Sequence, residues 1–209
     1  VLTDTDADGR ITFYDLNHAD NLAFTVDHNS NGRRDAGDLL LDNTWVDDID
    51  TDGNSFKDHL FGWDFLGVGD NDPLDQHRHG THVTGTIAAI GNNALGVTGV
   101  NWQARVMPLR FLNESNEGST ADAIKAINYA RMMRDSFNTD LRVLNASWGS
   151  LTFSPALRDT IASASTSNIL VVAAAGNGDI LGRGLNTDER PFYPASLDLD
   201  NIISVAASD

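Results

Sequence analysis

Two short runs carry side chains whose types and spacing suit acid–base and acyl-transfer chemistry. The first is His79-Gly80-Thr81-His82-Val83-Thr84-Gly85-Thr86-Ile87-Ala88-Ala89. A histidine opens a polar turn containing glycine, and a run of small apolar residues follows at helical spacing. That pattern seats one imidazole at the mouth of a helix able to pack deep in a core. A general base held rigidly in a cleft requires such a seat. Read alone, His79 fits a hydrogen-bonded histidine on a buried helix equally well. The second run, residues 173–178, ends an apolar stretch with Ala174, Ala175, Gly176 and Asn177. The Asn177 amide can donate to the oxyanion that develops in acyl transfer, where losing one such donor costs about 2.7–4 kcal/mol. The small residues before it leave room for a pocket floor. Taken alone, Gly-Asn-Gly also fits a turn that tolerates positive φ.

A third constellation is acidic and repeated. Asp4-x-Asp6-x-Asp8-Gly9-Arg10-x-Thr12-x-x-Asp15-Leu16 matches Asp27-x-Asn29-x-Asn31-Gly32-Arg33-x-Asp35-x-x-Asp38-Leu39, the second copy starting 23 residues after the first. An EF-hand-type calcium loop takes oxygen ligands from positions 1, 3, 5, 7, 9 and 12 and needs glycine at 6 for its sharp turn. Loop one offers Asp4, Asp6, Asp8, the Arg10 carbonyl, Thr12 and Asp15. Loop two offers Asp27, Asn29, Asn31, the Arg33 carbonyl, Asp35 and Asp38. Aspartate at position 12 is shorter than the usual glutamate. A third loop, Asp48-x-Asp50-x-Asp52-Gly53-Asn54, fits the first half of the template but has His59 at position 12. Calcium is the implied cofactor.

The elements that must position these groups alternate along the chain after residue 79. Helical patterns cover 79–90, 120–133 (with Thr120 as N-cap) and 155–167, the last with proline at its start. Strand patterns cover 105–112, 142–147, 169–175 and 201–206. Pro108 hints at an irregularity in the first, and the continuous apolar run of the third suggests a strand buried on both faces. Such alternation predicts an α/β fold: three layers, a mostly parallel sheet with helices on both faces. Ligands of such sheets sit at the carboxyl ends of the strands, where Asn177 falls. Two domains are expected, a calcium-loop insertion over 1–45 and a catalytic region over 46–209.

The His79 run resembles, nearly letter for letter, the catalytic-histidine segment of the subtilisin-like serine proteases, the subtilases. The segment ending at Asn177 resembles their oxyanion-hole segment, and the two stand in the family's order. Asn145-Ala146-Ser147-Trp148-Gly149 looks like the family's substrate-binding strand, and Gly118-Ser119-Thr120 like the opposite strand flanking the peptide. Substrate would be added to both as an extra strand. Gly62-Trp63-Asp64-Phe65, Asp70-Asn71-Asp72-Pro73 and Tyr193-Pro194-Ala195-Ser196 also resemble family segments. The loop from Ile90 to Val97 looks like a subtilase calcium loop with Asn93 as ligand. The likeness covers about residues 40 to 209. It implies His79 as base, Asn177 as oxyanion donor, and Gly118, Ser119, Ser147, Trp148, Gly149, Ala174, Ala175 and Gly176 as substrate-binding residues.

The sequence departs from the family in three places. Subtilases use Asp, His and Ser in that order. The Gly-Thr-Ser-Met-Ala run of the serine is absent. The string nearest to the aspartate run, Val1-Leu2-Thr3-Asp4-Thr5-Asp6, has no apolar strand before it, so both residues are expected outside a fragment truncated at both ends. His77 and Arg78 replace the small or polar pair that usually precedes the histidine, which bears on substrate preference.

Composition sets the limits. The 209 residues carry a net charge of −16, contain 41% hydrophobic residues and lack cysteine. A polyanion of this kind disfavours nucleic acid and anionic lipid as partners. Disulfides contribute nothing, and no stretch reaches the ~20 apolar residues of a membrane span. The expectation is a secreted or extracellular, calcium-dependent serine endopeptidase acting on extended peptides or proteins. The alternatives are an inactive subtilase-fold binding module and a calcium-dependent docking or adhesion module.

Overall fold

Ser119 and Ser154 begin the two long helices by the same device. Each sits in extended backbone, and its hydroxyl accepts the N–H three residues on: Asp122 to Ser119 at 3.0 Å, Leu157 to Ser154 at 3.2 Å. The groups so capped are donors that a helix cannot satisfy internally. The cap of the first helix is therefore Ser119 and not Thr120, which is already helical. These helices belong to one of two compact units in the computed structural model. One unit comprises Val1–Gln76 and Arg105–Arg110, the other His77–Ala104 and Phe111–Asp209. The described residues are 2–7, 9, 11–94, 96–178 and 184–207.

In the second unit, α3 spans His79–Ala88, α4 Thr120–Asp135 and α5 Pro155–Ala164, which continues as a 3-10 turn over Ser165–Ser167. Three parallel strands, β3 (Val143–Ala146), β4 (Leu170–Ala174) and β5 (Ile202–Val205), lie in the order β3-β4-β5. Ala146 faces Ala173, and Ala174 faces Val205. Val171 and Ala173 bury one face of β4 against Ile127, Leu157 and Ile161. Leu170, Val172 and Ala174 are half-buried. The expected burial of this strand is thus complete on the helix-covered face and partial on the other. The buried Asn201 amide donates to the Ile161 carbonyl at 2.8 Å, tying the start of β5 to α5.

Helix α3 has no fully buried residue, contrary to the deep packing expected of its small residues. Its last turn is instead closed by the chain that follows. The N–H groups of Gly99, Val100 and Asn101 donate to the carbonyls of Ala89, Thr86 and Ile87 at 2.8–3.1 Å. This approach needs glycine at 99, where a Cβ would lie 2.4 Å from the Ala89 nitrogen.

The first unit is held by small devices. Helices α1 (Phe13–Leu16) and α2 (Ala36–Leu39) each open with a reciprocal capping box, Thr12 with Asp15 and Asp35 with Asp38. Leu16 and Leu39, the apolar position of each repeat, are buried. A 3-10 turn covers Leu22–Phe24. β1 (Trp63–Asp64) pairs in parallel with β2 (Leu109–Arg110). The strand expected over 105–112 is confined to these two residues: Pro108 has no N–H to give, and its carbonyl instead accepts from Trp63 at 3.3 Å. Burial pushes the Asp64 carboxyl up, although Arg110 Nη1 donates to it at 2.8 Å; Arg110 Nη2 also reaches Gln76 Oε1 at 2.7 Å.

Among the described residues no helix is long and apolar enough to cross a membrane. Ile161 is fully buried between α5 and β4. Ile161→Ala is expected to destabilise the chain by about 2–5 kcal/mol in chemical denaturation, the range for deleting a core aliphatic chain. A loss below about 1 kcal/mol would show that α5 does not anchor the sheet.

Candidate active site and acidic loops

The carboxyl ends of β3, β4 and β5 open into a cleft of about 260 Å³. Asn145, Ser147, Val172, Ala173, Ala174, Gly176, Asn177, Val205, Ala206 and Ala207 line it. Of the sequence-derived site residues it gathers Ser147, Ala174, Gly176 and Asn177. The backbone fixes this rim. Ala175 donates to the Val205 carbonyl at 2.9 Å, and Gly176 then turns at φ 102°. That angle disfavours any side chain, so glycine leaves the chain free to present Asn177, which is exposed. Asn145 Nδ2 donates to Ser147 Oγ at 2.9 Å across the floor. Asn145 was not among the expected site residues; its amide one strand-period before Ser147 was the available signal.

Other expected site residues lie outside this lining. Trp148 stands edge-on to Phe111 with ring centroids 5.1 Å apart and packs on the core. Gly149 is required by crowding, since a Cβ would meet the Phe192 ring at 2.3 Å. Beside it Ser150 and Tyr193 exchange two backbone hydrogen bonds of 2.8 Å. A Cβ at Gly118 would lie 2.2 Å from the Phe111 carbonyl oxygen. The Ser119 hydroxyl caps α4 and donates to Asp122 Oδ2 at 2.7 Å, and its carbonyl accepts the Ala123 N–H at 3.1 Å. His79 is the first residue of α3, half-buried, and follows Arg78 in the left-handed region at φ 78°.

In the other unit the acidic repeat folds as two like loops. Gly9 donates to Asp4 Oδ2 and Gly32 to Asp27 Oδ2, both at 2.8 Å and both from position 6 to position 1. Both glycines have φ near 83°. Ligand oxygens of Asp4, Asp6 and Asp15 lie within 4.8 Å of one another. Asp15 Oδ1 accepts from the N–H and hydroxyl of Thr5, and Oδ2 from those of Thr12, at 2.7–3.0 Å. These bonds, the Thr5 N–H foremost, hold its carboxyl far below the ordinary value of 3.8. Burial pushes Asp38 up, but N–H donors from Asp35, Asn29 and His28 outweigh it and hold the group below its ordinary value. In loop two Asn31 accepts from Arg33 N–H and donates to Asp35 Oδ2, both at 2.8 Å, while Asn29 accepts from Asn31 N–H. Asp8 and Arg10 lie outside the described residues. In the third segment the position-1-to-6 bond runs from Ser55 N–H to Asp50 Oδ2 at 2.7 Å. Asp48, expected first, instead pairs with Lys57 Nζ at 2.8 Å. The third loop is therefore closed two residues later than its glycine suggested, with Asp50 and Asp52 kept inside it. Asn93 is exposed in the loop after α3.

Parallel strands, helices capped on one face and a small-residue cleft at the strand ends define a subtilisin-like α/β fold. The chain belongs to the subtilase family (peptidase S8), whose description matches residues 17–209. It is 35% identical over 160 residues to a thermophilic serine proteinase of Bacillus sp. (strain AK1), covering 77% of this chain and 35% of that protein. It is 30% identical over 168 residues to subtilisin-like protease 1 of Plasmodium berghei (strain Anka), covering 76% and 26%. Among solved structures, the S41 psychrophilic protease superposes with a TM-score of 0.60 at 32% identity, over 69% of this chain and 45% of that one. Sphericase does so with a TM-score of 0.57 at 30% identity, with the same shares. The chain thus spans well under two thirds of each relative.

Because folding holds Asp15 and Asp38 below 3.8, it favours their ionised forms. Their stabilisation is full above that value and fades as pH falls beneath it. With a chelator present, the melting temperature is expected to drop as pH is lowered through the range below about 4, and Asp15→Asn to flatten that drop. An acid limb equally steep in Asp15→Asn would contradict the assignment.

Proposed function

We propose that this chain is the histidine-bearing and oxyanion-bearing part of a secreted, calcium-dependent serine endopeptidase. The observation that carries the reading is the gathering of Ser147, Ala174, Gly176 and Asn177 around one cleft at the strand ends. An extended peptide laid along Ser147–Gly149 on one side and Gly118–Ser119 on the other would be held mainly through its backbone. Trp148, Ala174, Ala175 and Gly176 would shape the pocket for the side chain before the cut bond. His79 would take the proton of a serine hydroxyl as that oxygen attacks the peptide carbonyl carbon. The carbonyl oxygen would become the oxyanion, and the Asn177 amide would donate to it. His79 would then return the proton to the departing amine as the C–N bond breaks. A serine as nucleophile and an aspartate to orient His79 would complete the site.

In the whole enzyme, His79→Ala is expected to abolish nearly all turnover of a peptide anilide. Asn177→Ala should lower kcat about 10²–10³-fold with little change in KM, since the donor acts in the transition state. Unchanged kcat in Asn177→Ala would remove it from the oxyanion hole. Unchanged turnover in His79→Ala would sink the catalytic reading, and tight peptide binding without turnover in the parent would favour an inactive binding module.

Residues 1–45 are proposed as a calcium-loop insertion and 46–209 as catalytic region. Carboxylate, amide and carbonyl oxygens form a hard donor set that suits calcium. In loop one the ligands would be Asp4, Asp6, Asp8, the Arg10 carbonyl, Thr12 and Asp15. In loop two they would be Asp27, Asn29, Asn31, the Arg33 carbonyl, Asp35 and Asp38. Asp50 and Asp52 would serve the third loop beside Asp48, and Asn93 a separate loop. Each ion would offset the mutual repulsion of acids that the apolar residues of 1–45 are too few to hold together. Extracellular modules of this type work with dissociation constants of about 10⁻⁴–10⁻³ M, so a secreted setting would be one in which such loops are filled. Chelation is expected to lower the melting temperature and to open 1–45 to proteolytic nicking. A site filled at 100 times its dissociation constant contributes about 2.7 kcal/mol. A melt indifferent to chelator would refute the calcium reading and leave the protease reading intact.

A further inference from the structure

The two loops are joined by one side chain that neither ligand set includes. Asn17 follows α1 directly, as its C-cap, with its own N–H donating to the carbonyls of Phe13 and Asp15. Its amide reaches 17 residues ahead and grips Arg34 on both sides: Asn17 Oδ1 accepts the Arg34 N–H at 2.7 Å, and Asn17 Nδ2 donates to the Arg34 carbonyl at 2.8 Å. Nδ2 also donates to the Phe13 carbonyl at 2.7 Å, which fixes the amide to α1. The matching position of the second repeat is Leu40, which has no polar atom for such a grip. Asn17 is therefore a feature of the junction and not of the repeated unit.

The grip bears on loop two through one peptide plane. In a trans peptide the C=O of one residue and the N–H of the next point in opposite directions. With the Arg34 N–H held to Asn17, the Arg33 carbonyl must point away from it. That carbonyl is the position-7 donor of loop two. On the other side, α1 is four residues long and begins with the Thr12–Asp15 capping box, so positions 9 and 12 of loop one and Asn17 move as one short rigid piece.

We propose that Asn17 is a positioning residue that couples the two calcium loops, so that an ion in loop one sets α1 and, through Asn17, pre-orients the Arg33 carbonyl for an ion in loop two. The proposal rests on the calcium reading of the two loops. Pre-orientation lowers the ordering that the second ion must impose, and by linkage the help is mutual. Two exposed hydrogen bonds to a single residue set its size at about tenfold in affinity.

The test is an NMR calcium titration of the 209-residue chain, with the Gly9 and Gly32 amides as separate reporters, since each donates to the first ligand of its own loop. Asp6→Ala disables loop one. It is expected to weaken loop two about tenfold in the parent chain and to leave it unchanged in an Asn17→Ala background, where loop two is already weakened about tenfold. Asn17→Asp keeps the acceptor for Arg34 N–H and should fall between the parent and Asn17→Ala; it serves as the second variant if Asn17→Ala does not fold. A side chain that merely supports the fold would instead leave the effect of Asp6→Ala on loop two intact in the Asn17→Ala background. Two titrating glycines with the same Asp6→Ala effect in both backgrounds would overturn the coupling while sparing the calcium reading. Glycine amides that do not respond to calcium in the parent chain would overturn both.

Discussion

The position of β4 between two parallel neighbours is the constraint on which the cleft depends. Parallel pairing sends β3, β4 and β5 the same way, so their carboxyl ends reach one edge together. The register then decides which residues meet there. Ala146 opposite Ala173 and Ala174 opposite Val205 bring Ser147, Gly176 and Asn177 to the rim within a few residues of their strands. A one-residue slip would send every side chain of β4 to the other face. Burial of Val171 and Ala173 against Ile127, Leu157 and Ile161 opposes that slip. The cleft is thus a consequence of core packing beneath it. Outside its lining, Gly149 and Gly118 are each excluded from bearing a side chain by atoms of their own unit.

The acidic unit solves a different problem. Asp4, Asp6 and Asp15 bring like charges together, and part of that cost is met by N–H and hydroxyl donors from the loop itself. The two copies share the bonds from position 6 to 1, from 2 to 12 and from 9 to 12, and the same leucine is buried behind each. Calcium would supply the balancing charge. In that view the loops stabilise the protein only where the ion is abundant.

The sequence conveyed most of the second unit because its signals are local. Periodicity located α4, α5 and β4, and Pro155 marked the start of α5. What it missed depended on geometry beyond the local pattern. Ser119 and Thr120 are both good caps, and only backbone conformation separates them. Pro108, with no N–H to donate, ends the pairing of the 105–112 segment on its N-terminal side. The third loop closes two residues later than Gly53 suggests, because Gly53 and Ser55 are both left-handed, at φ 72° and 73°, and the glycine alone does not fix the loop's phase. The small residues of α3 suggested deep burial, whereas the return of Gly99–Asn101 onto its carbonyls is a tertiary contact with no periodic signature. Of the cleft lining, Ser147, Ala174, Gly176 and Asn177 were legible from motif and strand end together, and Asn145 from its strand phase relative to Ser147.

We propose that the carboxyl edge of β3-β4-β5 receives an extended peptide. This is tested most directly by titrating the chain with an extended, non-hydrolysable peptide and following backbone amide shifts. The account predicts shifts that cluster at Asn145–Gly149, Ala174–Gly178 and Gly118–Ser119. Shifts concentrated at the opposite strand ends, around Arg142 and Asn168, or confined to the acidic loops, would contradict it.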